Sequence, residues 1–206
     1  MVKMKKLPSK QFAFLMVAAI LLTGCYLPGS FDAEIELSRT GLYKMKFDGY
    51  IVDLKLYDDL RTGKLTKQSE IQSKIDRVLA DFNRDSSTRN ISYYSSGAFK
   101  VVWGKSGDLI RAPMISFFRR NENMISISYN KNTGLITLAG KSIGRKNAGR
   151  LQAMGLGMRG VLRIKTDTRV IKHNAQKVIK NGPVTEYVWE VLSLFDKAPN
   201  MVVSFN

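Results

Sequence analysis

The pentapeptide Gly140-Lys141-Ser142-Ile143-Gly144 has the G-x-S-x-G spacing that sets a serine on a tight turn between strand and helix. Asp167 and His173 follow in the order Ser…Asp…His, a set that would perform ester hydrolysis by nucleophilic attack of Ser142. Sequence distance argues against that assembly. Asp167 and His173 fall on one predicted strand or its edge, whereas hydrolase partners come from separate sheet ends, and the preceding chain lacks βαβ alternation. The same turn has two simpler readings. Ser142 caps the helix that follows, and backbone N–H groups beside Lys141, Arg145 and Lys146 cradle an anion; or the turn is a glycine-rich connection and nothing more. His173 has no second His or Cys for company and reads as a structural turn residue. With one Cys and one His in the chain, neither a polyhistidine metal site nor a Cys-based zinc site can be built, and no cofactor is expected.

The second chemical resource is positive charge. The 206 residues carry 33 Lys and Arg against 17 Asp and Glu, a formal charge of +16. Residues 25–99 balance to zero and residues 181–206 are weakly negative. Residues 100–180 hold 17 basic side chains against Asp108, Glu122 and Asp167, a net +14. Within that stretch Arg163, Lys165 and Arg169 are expected on one face of a single strand after Gly160, together with Val161 and Asp167. Lys146 and Arg150 stand i,i+4 on a predicted helix, where like charges give folding no help. Arg119-Arg120 reads as a loop. Such a stretch is either a solvated surface or a face for an anionic partner: lipid headgroups, lipopolysaccharide phosphates, an acidic envelope polymer, or an acidic protein served by an assembly or scaffold factor. No stacking motif of the RNA-recognition type accompanies the charge, so nucleic acid is not the expected partner.

The elements that must position these groups are mostly strands. Alternation marks Ala33/Ile35/Leu37, then Tyr43/Met45/Phe47/Ile51 after an Arg39-Thr40-Gly41 turn, and Phe99/Val101/Trp103. Ile125/Ile127/Tyr129 and residues 135–139 form a hairpin around Asn130-Lys131-Asn132-Thr133-Gly134. Leu162/Ile164, Tyr187/Trp189/Val191 and Met201/Val203/Phe205 complete the set. Ile71, Ile75, Val78, Leu79 and Phe82 repeat at helical spacing, with Thr66 or Ser69 as the start. A second helix over residues 145–154 uses Ala148, Leu151 and Met154 and is weakened by Gly149. Asp58-Asp59 reads as a solvated loop. The aromatic residues Tyr93, Tyr94, Phe99, Trp103, Phe117, Phe118, Tyr187 and Trp189 either fill a core or line a lipid-accepting cavity. The fold class is α+β: a mainly antiparallel sheet with two helices packed on it.

The N-terminus has the build of a signal peptide. Lys3, Lys5, Lys6 and Lys10 precede an apolar run over residues 12–22, too short for the roughly 20 residues that cross a bilayer. Leu22-Thr23-Gly24-Cys25 closes it and resembles the lipobox of bacterial lipoproteins. The resemblance implies a diacylglyceryl thioether on Cys25, cleavage before it, and N-acylation, commonly by palmitate. Residues 1–24 are then a signal peptide, 25–30 a short tether and 31–206 a single domain. Acyl chains contribute roughly 0.8 kcal/mol per buried methylene, so such an anchor is effectively permanent. Tyr26, where inner-membrane lipoproteins carry Asp, favours the outer membrane of a two-membrane envelope.

Val170-Ile171-Lys172-His173-Asn174-Ala175, with Val188-Trp189-Glu190-Val191, Pro199 and Met201-Val202-Val203 beyond it, is similar to the end of small envelope lipoproteins of the LppM type. That resemblance implies an α+β envelope domain with a suggested role in lipid binding, and it brings no catalytic residue. The expectation is a non-enzymatic envelope lipoprotein anchored at Cys25. Its basic site is drawn from Lys141, Ser142, Arg145, Lys146, Arg150, Arg163, Lys165 and Arg169.

Overall fold

The structure, a computed structural model, describes residues 26–118 and 125–205. The signal sequence, the lipobox with Cys25, and Arg119-Arg120 lie outside the described residues.

Alternating apolar side chains build the first hairpin. In β1 (Tyr26–Leu37) Ala33, Ile35 and Leu37 face inward, and in β2 (Leu42–Asp53) Tyr43, Met45, Phe47 and Ile51 do the same. Their antiparallel register sets Ile35 opposite Met45 and Glu34 opposite Lys46, so one face is sealed while the other collects charge. Residues 26–30, expected as a tether, are the first five residues of β1. Asp53 ends β2 and accepts from the N–H groups of Lys55 and Leu56, capping α1 (Leu54–Arg61). This helix takes in Asp58 and Asp59, expected in a loop. Asp58 pairs with Arg61 and Lys64, and Asp59 with Lys55 and Lys74, so both carboxylates are structural.

Helix α2 (Gln68–Asn83) buries the predicted stripe. Ile75, Val78 and Phe82 enter the core, and Ile71 and Leu79 pack at its edge. It starts after Lys67, with no side-chain cap. Next come β3 (Thr88–Ser95), β4 (Ala98–Asp108), β5 (Met114–Ser116) and the hairpin β6 (Ile125–Asn130) with β7 (Leu135–Gly140). They are followed by α3 (Arg145–Ala153), β8 (Arg159–Thr166), β9 (Arg169–His173), β10 (Lys177–Asn181), β11 (Val184–Val191) and β12 (Asn200–Ser204).

Two sheets result. The larger runs β10-β11-β8-β1-β2-β4-β3 and the smaller β5-β6-β7-β12-β9. All described pairings are antiparallel except β1 with β8. The sheets share one hydrophobic core, in which Ile35, Met45, Phe47 and Trp189 meet Ile127, Ile136, Leu138 and Met201. The described residues are therefore mainly β with three helices, compatible with α+β. Every helix and strand among the described residues lies within residues 26–204.

One expected strand is two. β8 ends at Thr166, whose hydroxyl donates to the Leu37 carbonyl, and the chain then crosses to the smaller sheet. Arg169 opens β9 there, so it does not share a strand face with Arg163 and Lys165.

Candidate functional site

A second, smaller core forms where α3 leans on the start of β1 and the end of β2. Ala148 and Leu156 pack with Leu27, Val52 and Leu194, bordered by Ile143, Leu151 and Met158. Tyr57 fixes the far end of α3 by donating to the Met154 carbonyl at 2.6 Å. Between this core and the main one lies a cavity of about 620 Å³, within the ~300–1,000 Å³ usual for small-molecule sites. Five separated stretches supply its walls: Tyr26, Leu27, Pro28, Phe31 and Ala33 from β1; Leu54 from α1; Phe117 and Ile125; Leu151, Met154, Met158 and Leu162 around α3 and β8; and Val191, Leu194, Ala198 and Pro199 from the connection between β11 and β12.

Phe31 forms part of the wall because both of its strand neighbours are glycines. It sits opposite Gly49 on β2 and Gly160 on β8. A Cβ on Gly160 would come within 2.6 Å of the Phe31 ring, and one on Gly49 within 2.7 Å of Phe31 Cβ. Missing side chains on both sides let the ring lie across the sheet and stack on Phe47 at 6.0 Å.

Polar groups complete the lining. Lys141, Ser142 and Gly144 come from the glycine-rich turn, Asn147 and Arg150 from α3, and Asp196 and Lys197 from the β11–β12 connection. Asp196 is already committed: it accepts from the N–H of Leu192 at 2.7 Å, the N–H of Ser193 at 3.0 Å and the Ser193 hydroxyl at 2.9 Å. Those bonds, the Leu192 N–H foremost, hold its carboxyl below the usual Asp range. Lys141, Arg150 and Lys197 have no ion-pair partner among the described residues, nor have Arg145 and Lys146 on the first turn of α3.

The eight residues proposed from sequence thus divide. Lys141, Ser142 and Arg150 line the cavity, and Arg145 and Lys146 lie on the first turn of α3, outside that lining. Arg163 and Lys165 lie on the outer face of the larger sheet, away from both cores. There Arg163 meets Asp32 at 2.6 Å and Glu186 at 3.8 Å, and Lys165 meets Glu34 at 2.6 Å. Lys46 also reaches Glu34, and Lys100 pairs with Asp48. Asp32, Glu34, Lys46, Asp48 and Lys100 of that ladder line a groove of about 850 Å³, together with Lys44, Arg89 and Lys105, which have no ion-pair partner among the described residues. The Lys165 hydrogen bond, with that of Lys46, draws the Glu34 carboxyl down from 4.5 to about 2 against the opposing effect of burial. Arg169 is exposed on an edge strand of the smaller sheet.

The Ser142 triad is not assembled. Ser142 Oγ accepts from the Ala198 N–H at 3.3 Å, His173 Nδ1 from the Ala175 N–H at 3.2 Å, and Asp167 from the backbone N–H and Nε of Arg39. None of the three bonds to another. Nor does Ser142 cap α3, whose N-cap is Gly144 without a side-chain bond; it ties the turn to the β11–β12 connection instead. Among the described residues no group of three or more His, Cys, Asp or Glu is placed to hold a metal. Of the eight aromatic residues singled out, Phe117 lines the cavity; Phe99, Trp103, Phe118, Tyr187 and Trp189 are core, Tyr93 packs at the core's edge, and Tyr94 is exposed. Lys197 and the cavity walls near residue 194 lie outside the basic stretch and carried no charge signal.

Comparison of the sequence with family models and with curated proteins finds no match. Among solved structures, the folded domain of LppM from Mycobacterium tuberculosis is similar at a TM-score of 0.40 and 11% identity, over 86% of this chain and 92% of that one. An M1 zinc metallopeptidase from Deinococcus radiodurans is similar at a TM-score of 0.37 and 7% identity. It aligns with 87% of this chain, which spans 42% of the peptidase. Likenesses this distant assign neither a ligand nor a reaction. No helix among the described residues is long and apolar enough to cross a membrane.

Proposed function

We propose that this chain is a non-catalytic, lipid-anchored protein of the bacterial envelope that binds an anionic amphiphile, with the acyl chain in the 620 Å³ cavity and the headgroup against Lys141, Arg150 and Lys197. The observation that carries this reading is the coincidence of apolar walls with cations that have no carboxylate of their own. Burying an alkyl chain supplies the affinity at roughly 0.8 kcal/mol per methylene, and the unpaired cations select a negative headgroup. Arg163 and Lys165, each held by a carboxylate, have no such surplus to offer. Cys25 immediately precedes a cavity-lining residue, Tyr26, so acylation there holds the site beside the membrane that carries its ligand; the outer membrane is favoured by the identity of Tyr26.

Calorimetric titration of residues 26–206 with lysophosphatidylglycerol and lysophosphatidylcholine, both below their micellar concentrations, tests it. The anionic lipid should bind saturably, one per chain and about tenfold tighter than the zwitterionic one, a gap of about 1.4 kcal/mol. Arg150→Glu with Lys197→Glu should erase the preference, and Leu151→Trp, with an unchanged far-ultraviolet spectrum, should block both lipids. Absence of saturable binding, or binding that Leu151→Trp leaves intact, contradicts the reading.

A further inference from the structure

The connection between β11 and β12 does more than line the cavity. Leu194 turns inward and is 3% exposed, while Leu192 and Phe195 point out at 64% and 49% exposure. This outward display is built in. The Asp196 bonds described above fold residues 192–196 into a closed turn, and the Phe195 N–H donates to Ser193 Oγ at 3.2 Å. From the other side Asn174 clips the connection down, its side-chain amide donating to the Ala198 carbonyl at 2.9 Å. A turn fixed this firmly holds two large apolar side chains in water at a cost unless something covers them.

The surroundings indicate what covers them. Lys197 follows in the same turn, Lys141 and Arg150 line the same cavity, and Arg145 and Lys146 occupy the first turn of α3, all five without ion-pair partners among the described residues. Asp196, the acid within this collar, is consumed by the turn itself. An apolar tip inside a cationic collar matches an anionic lipid surface, where the tip enters the headgroup and acyl boundary and each nearby Lys or Arg contributes about 1 kcal/mol. An acidic protein surface would satisfy the collar and leave Leu192 and Phe195 without a reason to protrude.

We infer that residues 192–197 and the first turn of α3 form a docking surface for an anionic bilayer, with Leu192 and Phe195 inserted, so that the cavity mouth opens directly into the lipid leaflet. The inference extends the lipid-binding reading above: the ligand enters from the membrane plane and does not cross water.

Residues 26–206 contain no cysteine, since Cys25 is the only one in the chain, so a single Phe195→Cys labelled with an environment-sensitive nitrobenzoxadiazole dye reports this site alone. Vesicles of phosphatidylcholine with phosphatidylglycerol should shift the emission to the blue and raise its intensity severalfold, and salt should weaken the response. The same dye at Ser92→Cys, on the exposed outer face of β3, should not respond. Leu192→Asn with Phe195→Asn should lower vesicle binding about tenfold or more while leaving titration with monomeric lysophosphatidylglycerol unchanged. An unresponsive dye at residue 195, or equal responses at 195 and 92, overturns the docking surface. If monomeric lipid still binds, that failure belongs to this inference alone; if monomeric lipid fails to bind while the dye responds, docking stands and the cavity reading falls.

Discussion

Glu34 shows how charge is spent on the outer face of the larger sheet. Its carboxyl, 18% exposed, accepts from Lys165 and Lys46, and the Lys165 bond foremost draws its pKa from 4.5 to about 2. A carboxylate whose pKa is depressed by folding stabilises the protein above its unfolded pKa, and that contribution disappears as pH falls through the folded value. Glu34 therefore contributes in full above about pH 4.5 and loses its contribution between there and about pH 2. With screening by solvent around the lysines, its size is about 1–2 kcal/mol. Glu34→Gln should be less stable than the parent to urea at pH 7 by about that amount, and the two should converge as pH drops to 2. Parallel curves across that window would show that the ladder contributes nothing. These pairs also explain why proximity in sequence misled. Arg163 and Lys165 belong to the net +14 stretch, but the parallel pairing of β8 with β1 places them beside Asp32 and Glu34, about 130 positions away. The partners of a strand face are set by the neighbouring strand, which no local count of charge reveals.

Among the elements, those with a clean apolar period were readable in the sequence and those without one were not. The stripe of α2 and the alternation of β1, β2, β4 and β11 each bury one face, and burial writes the period. β3 was invisible because it is an edge strand with polar or half-buried side chains on both faces, and β10 for the same reason. α1 was hidden because Leu54, Leu56 and Leu60 continue the apolar run of β2, and the break rests on the Asp53 cap. The His173-Asn174-Ala175 turn and the Trp189 strand, which carry the LppM-type likeness, are joined in the structure. Trp189 Nε1–H and the Asn200 N–H both donate to Asn174 Oδ1, at 2.8 and 2.7 Å. Asn174 thus fastens β9, β11 and the start of β12, and with them the lip of the cavity. Asn174→Ala leaves the buried indole N–H and a backbone N–H without acceptors, and should cost about 1–3 kcal/mol in urea unfolding with the m-value unchanged. Asn174→Asp keeps an acceptor and should lose less. Equal losses would mean that the acceptor oxygen is not what holds the turn.

Across the whole molecule, charge and cavity divide the surface into two regions of different character. One broad sheet face carries a ladder of ion pairs that includes Arg163, Lys165, Lys46 and Lys100, with Lys44, Arg89 and Lys105 beside it. One end gathers apolar walls, cations without ion-pair partners among the described residues, and the first residues of β1. The basic stretch was legible as charge, and Lys141, Arg150 and the α3 stripe were legible as individuals, but the site draws on five stretches that only the two-sheet topology brings together. Lys197 went unseen because it lies in a weakly acidic C-terminal segment, and the cavity because its wall residues read as ordinary core. Methionine methyl groups give a direct view of the cavity. Met154 and Met158 line it, Met45 and Met201 are sealed in the main core, and Met114 is 74% exposed on the edge strand β5. In residues 26–206 labelled with 13C at the methionine methyls, lysophosphatidylglycerol carrying a nitroxide on its acyl chain should broaden the Met154 and Met158 resonances first, at one equivalent, and leave Met114 sharp. Broadening of Met114 with Met154 and Met158 unaffected, or no selective broadening at all, would contradict a lipid chain lodged between the sheets and α3.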